Sequence, residues 1–229
     1  MKMLELFKCK HMLVALSLSL MALTLVASAQ RLSEEHRFVR QKIVYLNQEA
    51  DELTTSLKDQ RVRFAREYLI ARVRRVLHNY DARLSSEEQR NIIEAIMAAS
   101  DEFKLNPALI TAIIETESHF NIRARSYPGA RGLMQVMPHT GREIAQKLGI
   151  SWQGAKTLYQ PAENIRIGTY YFAKMIKQYG EVQKALIAYN EGPARVNYRL
   201  RRGYKLSLRY QRKVMQAFEK HNRIGPLFA

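Results

Sequence analysis

The chain is poor in the residues that usually announce a cofactor. It has 229 residues and one cysteine, Cys9, so a thiolate zinc site or a disulfide framework is excluded. None of its six histidines has a partner at the i, i+4 spacing of a zinc helix. The stretch Gly129-Ala130-Arg131-Gly132 is not followed by Lys-Ser/Thr, so it is not a phosphate loop. No serine sits in a nucleophile-elbow pattern, and no long stretch alternates with a period of two. No cofactor and no metal are expected. Acidic residues are scarce as well: 21 Asp+Glu stand against 37 Lys+Arg, a formal charge of +16. Such an excess points to a polyanionic partner, whether nucleic acid, an anionic membrane or a carboxylate-bearing wall polymer.

The N-terminus reads as a secretory signal. Lys2, Lys8 and Lys10 precede an apolar run from Met12 to Val26, and Ala27-Ser28-Ala29 is a small-x-small cleavage site. The expectation is residues 1–29 as signal peptide, cleaved after Ala29, with retention as an anchor the alternative. Cys9 lies before the apolar run, which excludes a lipid-modified cysteine at the cleavage site. Losing three Lys and one Glu leaves 34 basic and 20 acidic residues, a charge of +14 and no cysteine. Export argues against nucleic acid as partner and favours a periplasmic or envelope location.

The remainder reads as helices. Leu32, Val39, Leu46 and Leu53 recur every seven residues, and His36, Ile43, Ala50 and Leu57 form a second seam, with Ser33 as a candidate N-cap. The pattern fits either a coiled coil recruiting a protein partner through residues 31–60 or an amphipathic helix packing on the next domain. A second helix is expected from Arg61 to His78. Ser85 and Glu88 form a capping-box pair, and Asn106-Pro107 opens the helix Ala108 to Ser118. Further helices are expected from Pro138 to Gly149, Asn164 to Gln178, Val182 to Tyr189, Pro193 to Arg201 and Ser207 to His221. The expected fold is all-α: a helical extension over residues 30–80 and a compact domain over 81–229 with a basic C-terminal helix.

Glu115 and Glu117 end an apolar helix and point about 200° apart, so one can face a cleft and the other away. Apolar neighbours and the negative helix C-terminus both disfavour a carboxylate anion, which makes a general acid of one of them chemically sensible. On spacing alone, two solvent-exposed helix-end glutamates are the favoured reading.

Four blocks resemble one family. Glu117-Ser118-His119-Phe120-Asn121 resembles the Glu-Ser-x-Phe-Asn signature of lytic transglycosylases, the goose-lysozyme-like enzymes that cut bacterial peptidoglycan. Ser126, Gly129 to Pro138 and Thr140 resemble the second block. Leu158, Pro161, Asn164-Ile165 and Gly168 to Tyr171 resemble the third. Tyr179-Gly180, Ala185 to Asn190 and Gly192-Pro193 resemble the fourth.

The resemblance implies a lysozyme-like (goose-type) catalytic domain that cleaves the β-1,4 bond between N-acetylmuramic acid and N-acetylglucosamine. Glu117 would be the single acid and then base, leaving 1,6-anhydro-muramic acid ends. Tyr189 would reach the catalytic carboxylate with its hydroxyl. Ser126, Gln135, Met137 and Asn190 would line or shape the substrate cleft, whereas Met134 reads as core and Glu115 as structural. Two departures stand out. Glu191 occupies a position where the family commonly has a small residue, and Leu206-Ser207 replaces a frequent Glu-Thr pair before Tyr210. Glu191 or Glu163 could therefore supply a second carboxylate, which keeps a lysozyme-like hydrolase open. A non-catalytic wall-binding or scaffold protein is the other alternative. No acidic residue occurs from Gly192 to Phe218, and this basic tail would face an anionic wall or membrane surface, or only solvent.

Overall fold

The computed structural model describes residues 2–80 and 83–223, with the backbone alone for residues 2–15 and Arg223. The side chains of Lys2, Lys8, Lys10 and Cys9, the expected domain start at residue 81 and the last six residues lie outside that description. Two compact units divide the chain, Met1–Arg63 and Phe64–Ala229.

A single helix, α1 (Lys2–His78), covers both expected N-terminal helices. The expected break near Arg61 is absent for a simple reason. No glycine or proline stands near Arg61, so neither backbone breaker interrupts the hydrogen-bond ladder there. Ser33 accordingly sits inside the helix and caps nothing. In the first unit, the seam residues of both heptad positions are on the surface.

The second unit begins with the last turns of α1, where Val73, Val76 and Leu77 are core residues. Residues 68–77 are thus tied to the second unit by burial, whereas Phe64 is still exposed. α2 (Ser86–Phe103) starts at the capping box: the Ser85 amide donates to Glu88 Oε2 at 2.8 Å, and the Glu88 amide donates to Ser85 Oγ at 3.2 Å. Ile92, Ile93, Ile96 and Met97 form its inner stripe. α3 (Pro107–Ser118) is capped by Asn106, whose Oδ1 accepts the Ala108 amide at 2.9 Å. Pro107 to Ile114 are all buried, so α3 is the central helix, packed against α2 and, on another side, α8.

α4 (Pro138–Leu148) begins at its proline and ends at Gly149 in the left-handed region, as expected. A 3₁₀ turn, Ala155–Tyr159, leads into α5 (Pro161–Tyr179), which packs on α2, α4 and α6. α6 (Val182–Glu191), α7 (Pro193–Arg201) and α8 (Arg209–Arg223) complete the unit. Among the described residues there is no strand, only isolated bridges joining Arg131 to Arg125 and to Val136. Fully buried Phe120, Phe172, Leu133 and Leu158 tie these elements into one core. Each such side chain contributes about 2 kcal/mol by leaving water.

Candidate active site

α3 delivers two carboxylates to opposite surroundings. Its first eight residues are buried apolar or small side chains, which fixes the helix rotation, and the chain then turns sharply. His119 and Phe120 both adopt positive φ, 49° and 59°, an unfavourable conformation for side chains with a Cβ. Complete burial of Phe120, with its ring 4.9 Å from that of Tyr80, holds the turn in place. Glu117 in the last turn faces a cleft section of about 290 Å³, lined also by Asn190, Glu191, Arg209, Tyr210 and Lys213. Burial pushes its carboxyl up to about 7, and a 2.7 Å hydrogen bond donated by the Tyr210 hydroxyl to Oε1 only partly opposes this. Near neutral pH this group exists in both protonation states.

Glu115 faces the other way. His221 Nε2 lies 2.7 Å from its Oε2, and the Tyr80 hydroxyl donates to its Oε1 at 2.9 Å. The His221 contact, with help from Tyr80 and Lys220, holds the Glu115 carboxyl below the usual range despite its burial. Arg72 completes the cluster, donating to the His221 carbonyl at 2.5 Å and to Asn222 Oδ1 at 2.7 Å.

The opposite wall is built by one side chain. Asn164 is fully buried. Its Oδ1 accepts the Met134 amide at 2.7 Å, and its Nδ2 donates to the Arg131 and Leu158 carbonyls at 2.9 and 2.8 Å. Glycines make room for this arrangement. A Cβ on Gly132, where φ is +74°, would come within 2.0 Å of the Leu158 carbonyl oxygen, and one on Gly168 within 2.6 Å of Met134 Sδ. Met134 is fully buried, so it is core. The loop so fixed presents Gln135 and Met137 to an adjoining cleft section of about 300 Å³, with His139, Tyr171 and Tyr189. Gln135 sits at positive φ, and its Nε2 donates to the Gly132 carbonyl at 2.9 Å. Asn190 and Glu191 line both sections and mark where the two meet.

Glu117, Gln135, Met137, Tyr189, Asn190 and Glu191 are therefore brought to one cleft. Two expected residues are not among those lining either section. Ser126 closes its own loop, its Oγ accepting the Ala130 amide at 3.0 Å, and Glu163 lies in the first turn of α5. One expected contact is replaced. The hydroxyl on Glu117 belongs to Tyr210, while Tyr189 donates to the Met134 carbonyl at 2.7 Å. The reason is topological: α8 packs directly on α3, so the first turn of α8 lies at the end of α3. The Tyr189 ring is wedged between Tyr171 and Phe172, at 5.4 and 5.9 Å. Burial, and then Glu117, raise its hydroxyl well above the usual range. Tyr210 is raised likewise, so both remain neutral donors. Arg209 and Lys213 are further cleft residues, hidden in the sequence inside a long basic run.

Glu191 is the least expected member. One of its oxygens is buried without a hydrogen-bond partner, and Arg199 Nε lies 3.7 Å from it. Among the described residues, no three His, Cys, Asp or Glu side chains stand close enough together to hold a metal ion.

The comparisons with known proteins fall on this same part of the chain. Residues 94–211, just over half of the sequence, match the family model for the transglycosylase SLT domain. A transglycosylase of Enterobacteria phage PRD1 is 36% identical over 105 residues, 46% of this chain and 36% of the phage protein. The membrane-bound lytic murein transglycosylase C of Actinobacillus succinogenes is 38% identical over 117 residues, 47% of this chain and 33% of that one. The chain spans about a third of the length of these curated relatives. Among solved structures, the 70 kDa soluble lytic transglycosylase of Escherichia coli superimposes with a TM-score of 0.50 and 25% identity, over 57% of this chain and 24% of that one.

Proposed function

The chain belongs to the transglycosylase SLT domain family, and from that membership we propose that it is an exported peptidoglycan lytic transglycosylase with Glu117 as its acid and base. One observation carries the assignment: a cleft carboxyl raised to about 7, held by a single tyrosine hydroxyl. In the proposed reaction protonated Glu117 gives its proton to the glycosidic oxygen between N-acetylmuramic acid and N-acetylglucosamine as the C1–O bond breaks. The resulting carboxylate takes the proton of the muramic acid 6-hydroxyl, whose oxygen bonds to C1. The product is a 1,6-anhydro end, no water is consumed, and Glu117 finishes protonated as it began. The nucleophile is already part of the substrate, which supplies the proximity another enzyme would obtain from a second residue.

Tyr210 orients the carboxyl and stays neutral while doing so. Gln135, Met137, Tyr189 and Asn190 form the wall along which the glycan strand lies. Arg209 and Lys213 place positive charge where substrate carboxylates would pass. Glu191 is the specific observation behind a second reading. A carboxylate with one buried, unpartnered oxygen at the junction of the two cleft sections would be placed to activate water, which would make the enzyme a hydrolase. The apolar N-terminal run and the membrane-bound name of the relatives support a cell-envelope location. The acid-free basic segment after Gly192 supports attachment to an anionic wall or membrane.

Mass spectrometry of digested sacculi tests the proposal. Anhydro-muramic acid ends are expected from the wild type and none from Glu117→Gln. Hydrated ends that disappear in Glu191→Gln would instead establish the hydrolase.

A further inference from the structure

We propose that residues 32–57 of α1 form a parallel, in-register two-stranded coiled coil with a second copy of this chain. The first observation is exposure. Leu32, Val39, Leu46 and Leu53 repeat every seven residues on one continuous helix, and each keeps between 50 and 61% of its surface in water. Ile43 and Leu57 of the second seam position are 52 and 56% exposed. The two positions alternate at spacings of four and three residues, which is a heptad seam on an α-helix. Residues 32–57 extend about 39 Å at 1.5 Å per residue.

The second observation is where charge falls. Every Asp, Glu, Lys and Arg between Arg31 and Arg63 lies off the two seam positions, where the only polar side chain before Gln60 is His36. Residues 32–57 carry three basic and five acidic residues, a net −2 within a chain of +16. A helix meant to lie on an anionic membrane or polymer would carry the opposite balance. A helix meant to meet its own copy gains from near-neutrality.

Flanking charges then select the partner's direction and register. In a parallel, in-register pair, Glu35 stands opposite Arg40 of the partner subunit, twice by symmetry. The other flanking pairs, Lys42 with Asn47, Glu49 with Thr54 and Ser56 with Arg61, contain no like charges. A slip of one heptad loses both Glu35–Arg40 pairs and sets Lys42 against Arg40 and Arg63 against Arg61, gaining only one Glu49–Arg61 pair. An antiparallel pairing over the same span gains Glu35–Arg63 pairs but sets Glu49 against its own copy, and it faces Leu46 with Ala50. Parallel pairing alone stacks leucine on leucine at positions 32, 46 and 53 and keeps every flanking contact neutral or attractive.

Site-directed cross-linking of the full chain in a Cys9→Ser background tests this arrangement. Under mild oxidation, Leu46→Cys is expected to give about tenfold more disulfide-linked dimer than Gln48→Cys, which lies on the outer face. Equilibrium sedimentation in density-matched detergent is expected to give twice the chain mass at micromolar concentration. With Ile43→Asp the mass is expected to fall to one chain with helix content unchanged. A single-chain mass for the wild type overturns the proposal, as does a three-chain mass. Equal linking at positions 46 and 48 overturns it too, and linking that requires both Leu46→Cys and Ala50→Cys establishes the antiparallel arrangement instead.

Discussion

The two ends of α8 meet the same helix, α3, and each meets a glutamate, yet they do opposite things to it. At the start of α8, Tyr210 offers Glu117 one neutral hydrogen bond in apolar surroundings, and the carboxyl rises to about 7. At the far end, His221 lies 2.7 Å from Glu115 with Tyr80 on the other oxygen, and that carboxyl is held below the usual range. Both groups are removed from water, so burial alone does not set their state. What separates them is the partner: a lone phenol leaves the desolvation penalty standing, whereas the His221 imidazole with Tyr80 as a second donor overcomes it. One contact leaves a proton available for chemistry, and the other fastens a helix.

Swapping or deleting these partners tests the contrast. The largest effect is expected from Glu117→Gln, which should lower sacculus digestion by about 10³-fold or more while leaving strand binding within a few-fold. Release of anhydro ends should itself fall as pH rises through about 7, because the acid is then ionised before it meets substrate. Glu115→Gln should cost about 2 kcal/mol in urea unfolding at pH 7, since it puts a neutral amide where a carboxylate meets His221 and Tyr80. Because the Glu115 carboxyl is depressed, its stabilisation is present above about 4.5 and lost as pH falls through its lowered value. The variant should therefore show a flatter acid limb than the wild type. Glu117→Gln should show the reverse sign in stability. A raised carboxyl stabilises fully only below about 4.5 and loses this as pH rises through 7, so the variant should gain about 2 kcal/mol at pH 8 and nothing at pH 4.5. The smallest effect is expected from Tyr210→Phe. Its hydroxyl lowers the Glu117 carboxyl, so removing it should move the alkaline limb of activity upward by less than about one pH unit. The rate should drop less than in Glu117→Gln.

Helix starts were legible at three caps, Ser85 with Glu88, Asn106 with Pro107, and Pro138, whereas α5 starts at Pro161, three residues before the expected Asn164. The opposite facing of Glu115 and Glu117 followed from helical geometry alone. Tyr210 and His221 were not legible as partners, because their roles come from the antiparallel fit of α3 and α8. That fit joins residues 93 positions apart in one case and more than a hundred in the other. Tyr189 was misassigned for the same reason: position in a motif does not say which of two nearby hydroxyls wins the carboxylate. The missing break near Arg61 is a different failure, since hydrophobic spacing locates faces, whereas ends are located by caps and backbone breakers.

Asn164 has a kinetic consequence. Its three bonds join the Arg131–Met134 turn, the end of the 3₁₀ turn and the start of α5. If α5 starts to open at Asn164, the hold on the other two segments is lost at once. The amide of Met134 should exchange its hydrogen with solvent only when the whole unit unfolds. For the proposed glycan substrate, this wall is a surface already in its final shape. Such a strand loses no affinity to ordering the enzyme, and the freedom surrendered on binding is the strand's own.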